Sequence, residues 1–172
     1  MKKALMIIAP DQFRDEEYLE PRAILEKAKV NITVASATTA VAKGRFGAVV
    51  KPDISLKDAR VSDYDAIIFV GGGGAEVYFD DPAAHRIAQD AVKQNKLLAA
   101  ICISPVILAR AGVLKGVKAT VFPDSDQELT DNGAVYTGSP VEKDGSIITG
   151  AGPQAAKQFG QAIAQHLTKK DI

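Results

Sequence analysis

Residues 97–105 read LLAAICISP, an apolar run that reaches Cys102 and is followed by Ile103, Ser104 and Pro105. Five consecutive apolar residues are typical of a strand buried on both faces, and proline is favoured at the first position of a helix. The segment predicts a strand over Leu97–Ile101, a sharp turn at the cysteine, and a helix with the serine as N-cap. A side chain on such a turn projects from the sheet edge, as in a nucleophile elbow.

Similar apolar runs alternate with helical patterns along the whole chain. We expect one α/β domain over residues 1–172, a three-layer sandwich in which a mainly parallel sheet carries helices on both faces. A short antiparallel excursion is predicted within residues 38–62. The other predicted strands are Ala4–Ala9, Val30–Ala35, Ala66–Val70 and Lys118–Phe122 with a hairpin over Val141–Thr149, and the other predicted helices are Glu16–Lys29, Pro82–Asn95, Asp126–Asn132 and Pro153–Lys169.

The composition excludes several classes of function. The chain has 172 residues, 47% of them hydrophobic, and its 21 basic residues balance 21 acidic ones, so no basic excess indicates a nucleic-acid or membrane-surface partner. One cysteine permits neither an intrachain disulfide nor a cysteine-rich zinc site. Only six apolar residues precede Pro10, fewer than a signal peptide needs. We expect a cytoplasmic protein with no metal and no cofactor.

Three predicted strands end in residues able to do chemistry. These residues are Asp11–Glu17 after the first strand, the four glycines Gly71–Gly74 after a second strand, and Cys102 after a third. Sites in open α/β sheets form at the carboxyl ends of strands, so these segments are expected to converge. A thiol before a helix N-terminus is expected to have a lowered pKa, and the glycine N–H groups to form an oxyanion hole. The alternatives are a packed structural cysteine and a simple glycine turn.

The two histidines are expected away from this edge. His85 falls on the first turn of one predicted helix and His166 near the end of another, both at surface positions. No metal site is predicted from them.

Four segments carry a resemblance to a known family: DEEYLEP (15–21), IIFVGGGGAE (67–76), AAICISPVILARAGVLKG (99–116) and VEKDGSIITGAGP (141–153). On these segments the chain resembles the ThiJ/PfpI superfamily. That superfamily includes PfpI-type intracellular proteases and the parkinsonism-associated protein deglycase. The resemblance implies a flavodoxin-like, class I glutamine-amidotransferase-like fold and a homo-oligomer, either a dimer or a hexamer.

The same resemblance assigns roles to individual residues. Cys102 is similar to the family nucleophile, and Glu17 to the acid that hydrogen-bonds its sulfur. Gly72 and the N–H of Ile103 are similar to the oxyanion-hole donors. Glu76, Gly73 and Ser104 are accessory positions.

Two departures from the family pattern bear on function. PfpI-type proteases carry histidine directly after the cysteine, where this chain has Ile103. The deglycase branch carries a histidine before a later proline, where this chain has Phe122 before Pro123. Peptidase chemistry needs a base for the thiol and an acid for the leaving amine, so the protease hypothesis is the least favoured.

The sequence thus predicts a cysteine-dependent stress-response enzyme, a hydrolase or lyase of glyoxalase or deglycase type. Its substrate would be a small reactive carbonyl or a glycated, modified protein, with Cys102 as nucleophile and Glu17 as acid and base. The alternative is a redox-responsive, non-enzymatic protein of oxidative stress whose cysteine is oxidised to sulfinate. A third hypothesis is an interaction domain in which the cysteine is merely packed.

Overall fold

The computed structural model describes residues 1–169 and shows a central sheet between two layers of helices. The strands are β1 (Lys3–Ile7), β2 (Asp11–Phe13), β3 (Asn31–Ser36), β4 (Ala42–Gly44), β5 (Val49–Val50), β6 (Ile54–Ser55), β7 (Ala66–Phe69), β8 (Leu97–Ile101), β9 (Lys118–Ala119), β10 (Val135–Tyr136), β11 (Val141–Asp144) and β12 (Ile147–Gly150). The helices are α1 (Asp15–Lys27), α2 (Pro82–Lys93), α3 (Pro105–Arg110), α4 (Asp126–Asp131) and α5 (Ala156–Thr168).

The central sheet has seven strands in the order β11-β12-β8-β7-β1-β3-β6. All neighbouring pairs are parallel except the β11–β12 hairpin. The chain runs from β1 outward to β3 and β6, and later returns to β7 on the other side of β1. This reversal is a topological switch point, where the carboxyl ends of neighbouring strands open a crevice. The predicted α/β fold with a mainly parallel sheet is therefore confirmed.

The strands are nearly all apolar because both faces of the sheet are covered. Every residue of β7 and β8 is buried. Helix α1 packs against α5, and α2 packs against α3, which forms the two outer layers. Close packing between α1 and α5 requires Gly160, since a Cβ there would lie 2.8 Å from the Cα of Pro21. Helix α1 tolerates Pro21, although the nitrogen of proline has no hydrogen to donate to the carbonyl of Glu17.

Several predicted boundaries were wrong by small amounts, and three strands were missed. The strand expected over Lys118–Phe122 is only two residues long and pairs with β10 in a separate sheet. The first part of the helix expected from Pro153 is a 3₁₀ turn. Strands β2, β6 and β10 were not predicted, because segments of two or three residues carry too little periodicity.

No helix among residues 1–169 is both long enough and apolar enough to cross a bilayer.

Candidate active site

Cys102 occupies a strained position directly after the central strand β8. Its φ of 65° lies in the left-handed region, which is uncommon for any residue except glycine. Two backbone hydrogen bonds keep it there: its N–H donates to the carbonyl of Gly150 at 2.9 Å, and its carbonyl accepts from the N–H of Phe122 at 2.8 Å. The predicted sharp turn is thus present. Strain of this kind at a strand end is typical of functional sites.

Ser104 does not act as the predicted N-cap of α3. It has helical backbone angles, and its side chain caps no N–H group of α3. Its Oγ instead donates to the carbonyl of Val70 at 2.7 Å. The side chain of Ser104 is fully buried and lies beside the end of β7. Its hydroxyl therefore donates a hydrogen bond to the carbonyl of Val70 and caps no N–H group of α3. This bond ties the turn after β8 to the end of β7.

Glu17 lies on the first turn of α1 and is fully buried. The loop before it is anchored by the N–H of Arg14, which donates to the carbonyl of Gly71 at 2.9 Å. Among the described residues, neither oxygen of the Glu17 carboxyl has a hydrogen-bond partner. A buried carboxyl without such partners is costly, and groups of this kind cluster at functional sites.

The carboxyl of Glu17 and the side chain of Cys102 adjoin each other across Gly71. A Cβ placed at Gly71 would lie 2.4 Å from Oε1 of Glu17, 2.5 Å from Cβ of Cys102 and 2.6 Å from the carbonyl oxygen of Ile101. Only glycine therefore leaves room for the acid and the thiol together. Gly72 is constrained as well, since its φ is 107° and a Cβ would lie 2.3 Å from the backbone nitrogen of Arg14.

The ionisation of the two groups is coupled. Burial raises the pKa of Glu17 to about 8, while the neighbouring sulfur and the charge of Arg14 lower it. Burial also raises the pKa of the Cys102 thiol to about 12, and the charge of Glu17 adds to the effect. Backbone N–H groups of Gly72 and Ile103 lie against the sulfur and lower its pKa. The sulfur of Cys102 lowers the pKa of the Glu17 carboxyl, although the two groups do not have the geometry of a hydrogen bond.

The expected lowering of the thiol pKa is wrong, because burial and the neighbouring acid outweigh the two N–H groups. A raised thiol pKa by itself agrees with a packed structural cysteine. The surroundings of the sulfur do not: a buried acid, two N–H groups and a left-handed backbone surround it, where a packed cysteine would have hydrocarbon neighbours.

Two more residues of the predicted segment Asp11–Glu17 have defined contacts here, and the role of Arg14 was missed in the sequence. Arg14 is the cation that acts on Glu17; its guanidinium pairs with Glu16 at 2.5 Å and lies 4.7 Å from the ring centre of Phe46. Asp15 is buried and accepts from the N–H groups of Phe46 and Ala48, both at 2.9 Å. Arg14 directly precedes an acidic stretch that ordinarily forms a solvated first turn, so the pattern alone carried no signal for it.

The remaining predicted residues are more peripheral. Gly73 and Glu76 are exposed, on the 3₁₀ turn Gly73–Tyr78. The ring of His85 contacts the carbonyl oxygen of Phe79 at 2.7 Å. Phe122 is 37% exposed and adjoins Cys102 through its backbone, with a benzene ring where the deglycase branch has an imidazole. Within residues 1–169, no three or more His, Cys, Asp or Glu side chains cluster as metal ligands.

Comparison with known proteins gives relatives along nearly the whole chain. An uncharacterized protein of Methanocaldococcus jannaschii is 38% identical over 172 residues, covering 98% of this chain and 84% of that protein. A protein of Pyrococcus abyssi named a deglycase is 29% identical, covering 87% of this chain and 90% of the relative. A protein of Caenorhabditis elegans named a glutathione-independent glyoxalase is 27% identical, with coverages of 96% and 89%.

Solved structures agree with these relatives. A ThiJ/PfpI domain protein of Brachyspira murdochii superposes with a TM-score of 0.95 at 27% identity, covering 98% of each chain. A structure described as oxidized DJ-1 of Toxoplasma gondii superposes with a TM-score of 0.87 at 30% identity, covering 99% of this chain and 92% of that one. The DJ-1/PfpI family matches residues 2–166. The chain, with its nucleophile-elbow cysteine beside a buried acid, belongs to the DJ-1/PfpI family.

Proposed function

We propose that the protein is a cysteine-dependent enzyme that acts on reactive carbonyl compounds or their adducts, with Cys102 as nucleophile and Glu17 as acid and base. The observation that carries the proposal is the buried carboxyl of Glu17, without hydrogen-bond partners in the described chain and adjoining the cysteine across Gly71. An acid kept partly protonated near pH 8 can both accept and return protons during one turnover.

A three-carbon dicarbonyl such as methylglyoxal illustrates the chemistry. The sulfur of Cys102 forms a bond to the aldehyde carbon, and ionised Glu17 accepts the thiol proton. The carbonyl oxygen becomes an oxyanion, accepts from the N–H groups of Gly72 and Ile103, and then takes a proton to give a hemithioacetal. Only a minority of Glu17 is ionised at neutral pH, so this first step is expected to quicken as the pH rises towards 8.

The second stage needs no external oxidant. Glu17 removes the proton from the carbon bonded to sulfur and a proton is returned to the neighbouring carbon. The first carbon is thereby oxidised to the level of a thioester and the ketone carbon is reduced to an alcohol. Water then cleaves the carbon–sulfur bond, which releases lactate and restores the thiol. The names of the Pyrococcus abyssi and Caenorhabditis elegans relatives support this class of reaction.

The proposal is tested by lactate formation from methylglyoxal. The wild-type protein is expected to exceed an equal concentration of free thiol, and Cys102→Ser is expected to lose activity by at least about 1,000-fold, because a hydroxyl with no strong base is a poor nucleophile. Gly73→Ala is a suitable control, since a Cβ at that exposed position meets nothing within 4 Å. Wild-type turnover no faster than free thiol would contradict the proposal.

A second candidate is a redox-responsive role for the same cysteine. The N–H groups of Gly72 and Ile103 and a protonated Glu17 could all hydrogen-bond a sulfinate, and a relative has been described in an oxidized form. Mild peroxide is then expected to add two oxygen atoms to Cys102, measured as intact mass. The raised pKa of the thiol favours its reduced form. A thiol that stays reduced under this treatment would contradict the redox role.

Three further expectations stay predictions of this proposal. They are a small carbonyl or a modified protein as substrate, a cytoplasmic location, and a homo-oligomer. Sedimentation or light scattering measures the last of them.

A further inference from the structure

Arg14 lies directly against the glycines of the active site. Its N–H donates to the carbonyl of Gly71 at 2.9 Å, and a Cβ placed at Gly72 would lie 2.3 Å from its backbone nitrogen. The charges of Glu17 and of an ionised Cys102 both act on its guanidinium. A positive charge thus lies within electrostatic reach of both groups that the proposed reaction uses.

The guanidinium of Arg14 is held on two sides. Its Nε donates to Glu16 at 2.5 Å, and its central carbon lies 4.7 Å from the ring centre of Phe46. The turn that carries this ring is itself fixed by the buried carboxylate of Asp15, which accepts from the N–H groups of Phe46 and Ala48. A group supported in this way loses little further freedom when a ligand binds to it.

Most of the hydrogen-bonding capacity of this guanidinium is unused within residues 1–169. Arginine has five N–H donors, and in the described part of the chain only the donor on Nε has an acceptor. The side chain is 29% exposed, so it is neither fully packed nor fully solvated. A guanidinium in such a position can bind a carboxylate through two parallel hydrogen bonds from its remaining nitrogens.

The charges of the neighbouring acids permit an anion at neutral pH. Burial raises the pKa of Glu17 to about 8, so this carboxyl is largely protonated at pH 7 and repels an anion only weakly. Glu16 is negatively charged, but its carboxylate pairs with the Nε edge of Arg14 and is 38% exposed, where water and salt screen its charge.

We propose that Arg14 binds a carboxylate of the substrate, so that the enzyme prefers reactive carbonyl compounds that carry a negative charge. This inference rests on the proposed function and names a class of substrate for it. A suitable compound is 4,5-dioxopentanoate, an α-oxoaldehyde that ends in a carboxylate.

The reaction of this compound follows the two stages described above. Cys102 bonds to the aldehyde carbon, which is oxidised to the level of a thioester while the neighbouring ketone carbon is reduced to an alcohol. Water then cleaves the carbon–sulfur bond and restores the thiol. One water is consumed, the product is 2-hydroxyglutarate, and the distal carboxylate at Arg14 is unchanged, so atoms and electrons balance.

Electrostatic selection can be measured without turnover. Cys102 is the only cysteine of the chain, so intact mass follows its alkylation by iodoacetate, a carboxylate, and by iodoacetamide, the neutral counterpart. Any change in the pKa of the thiol affects both reagents equally and cancels in the ratio of the two rates. At pH 7 we expect Arg14→Gln to lower the iodoacetate-to-iodoacetamide ratio by about threefold to fivefold, the size of a partly exposed ion pair.

Two variants control for the loss of the side chain. Arg45→Gln removes the other guanidinium beside Phe46, 5.5 Å from the ring centre. That guanidinium contributes to the pKa of neither Glu17 nor Cys102, so the wild-type ratio is expected to be retained. Arg14→Lys keeps the positive charge without the planar fork, and its ratio is expected to lie above that of Arg14→Gln.

Turnover gives the second readout. Formation of the 2-hydroxy acid is compared for 4,5-dioxopentanoate and for 2-oxopentanal, which has the same five-carbon chain without the carboxylate. We expect kcat/KM for the charged compound, relative to the neutral one, to fall by about threefold to fivefold in Arg14→Gln. The relative value is expected to be unchanged in Arg45→Gln.

The outcomes separate this inference from the proposed function. An alkylation ratio or a substrate preference that Arg14→Gln leaves unchanged would overturn the role of Arg14 and leave the enzyme proposal intact. An equal fall in Arg45→Gln would overturn it too, since it would show general attraction by surface charge. A fall confined to Arg14→Gln in alkylation, with no turnover of any dicarbonyl, would support anion binding at Arg14 and overturn the proposed reaction.

Discussion

The two sides of strand β8 differ in how much space they leave near its carboxyl end. On the β7 side, a single added carbon at Gly71 would approach three atoms within 2.6 Å. On the β12 side, an open cavity of about 620 Å³ begins next to Phe122 and Gly152. The closed side contains the acid, the glycine N–H group and the coupled ionisation. The open side contains apolar surface, amides and one carboxylate.

This contrast separates the place of the chemistry from the open space beside β8. Proton transfer needs groups held within a fraction of an ångström, which the packed side provides. Binding of a small ligand needs volume and a few polar groups, and the cavity on the open side has both. Changes on the closed side should therefore affect rate, ionisation and stability strongly.

The largest effect is expected for Glu17→Gln, which preserves shape and removes the acid. Because proton transfer by a positioned side chain contributes about 100- to 10,000-fold, lactate formation should fall by at least 100-fold. In the wild type, kcat/KM should rise with pH through about 8, as Glu17 loses its proton and becomes the base for the thiol. The variant should lack this rise. A pH profile that instead falls through pH 8 would show that the protonated acid is the active form.

The same substitution tests burial through stability. The pKa of Glu17 is raised from its ordinary value of 4.5 to about 8 in the folded protein. The folded state then holds a proton that the unfolded state releases, so wild-type stability should fall as the pH rises from about 4.5 to 8. Relative to Glu17→Gln, urea unfolding should show a loss on the order of 2–4 kcal/mol over this window. Parallel curves for the two proteins would contradict the buried acid.

Gly71→Ala is the steric test of the closed side. The new Cβ would force the carboxyl of Glu17 away from Cys102, and overpacking of this kind costs about 1–3 kcal/mol. We expect that loss in urea unfolding, together with a fall in lactate formation of about tenfold or more. Gly73→Ala, two residues along in the same glycine run, should change neither. Equal effects of the two substitutions would indicate a general role of the glycine run.

The smallest effect is expected for Ser104→Ala. The carbonyl of Val70 would lose its buried hydrogen-bond donor, which costs about 1–2 kcal/mol. The free energy of unfolding should fall by that amount, while Ser125→Ala, a serine whose side chain makes no capping hydrogen bond, should stay close to wild type. If Ser104→Ala were neutral, the bond between the two turns would not contribute to stability.

Much of the fold followed from local patterns. Strand β8 ends at the predicted residue. Asp81, directly before the helix predicted from Pro82, caps α2 by accepting from the N–H of Ala83 at 3.2 Å, and aspartate is among the residues favoured at this position. Helix boundaries were less accurate because end residues differ little in propensity. The short strands β2, β6 and β10 were missed, since their pairing partners and not their own residues make them strands.

The sequence by itself determined the α/β architecture, the turn at Cys102 and the candidate nucleophile, because periodicity, glycine and proline act over a few neighbouring positions. The structure alone decided the ionisation of that residue. The pKa of Cys102 depends on burial and on Glu17, a residue 85 positions earlier in the chain. The cavity beside Phe122 likewise comes from segments that meet only when the sheet has formed, since desolvation and enclosed volume are properties of packing.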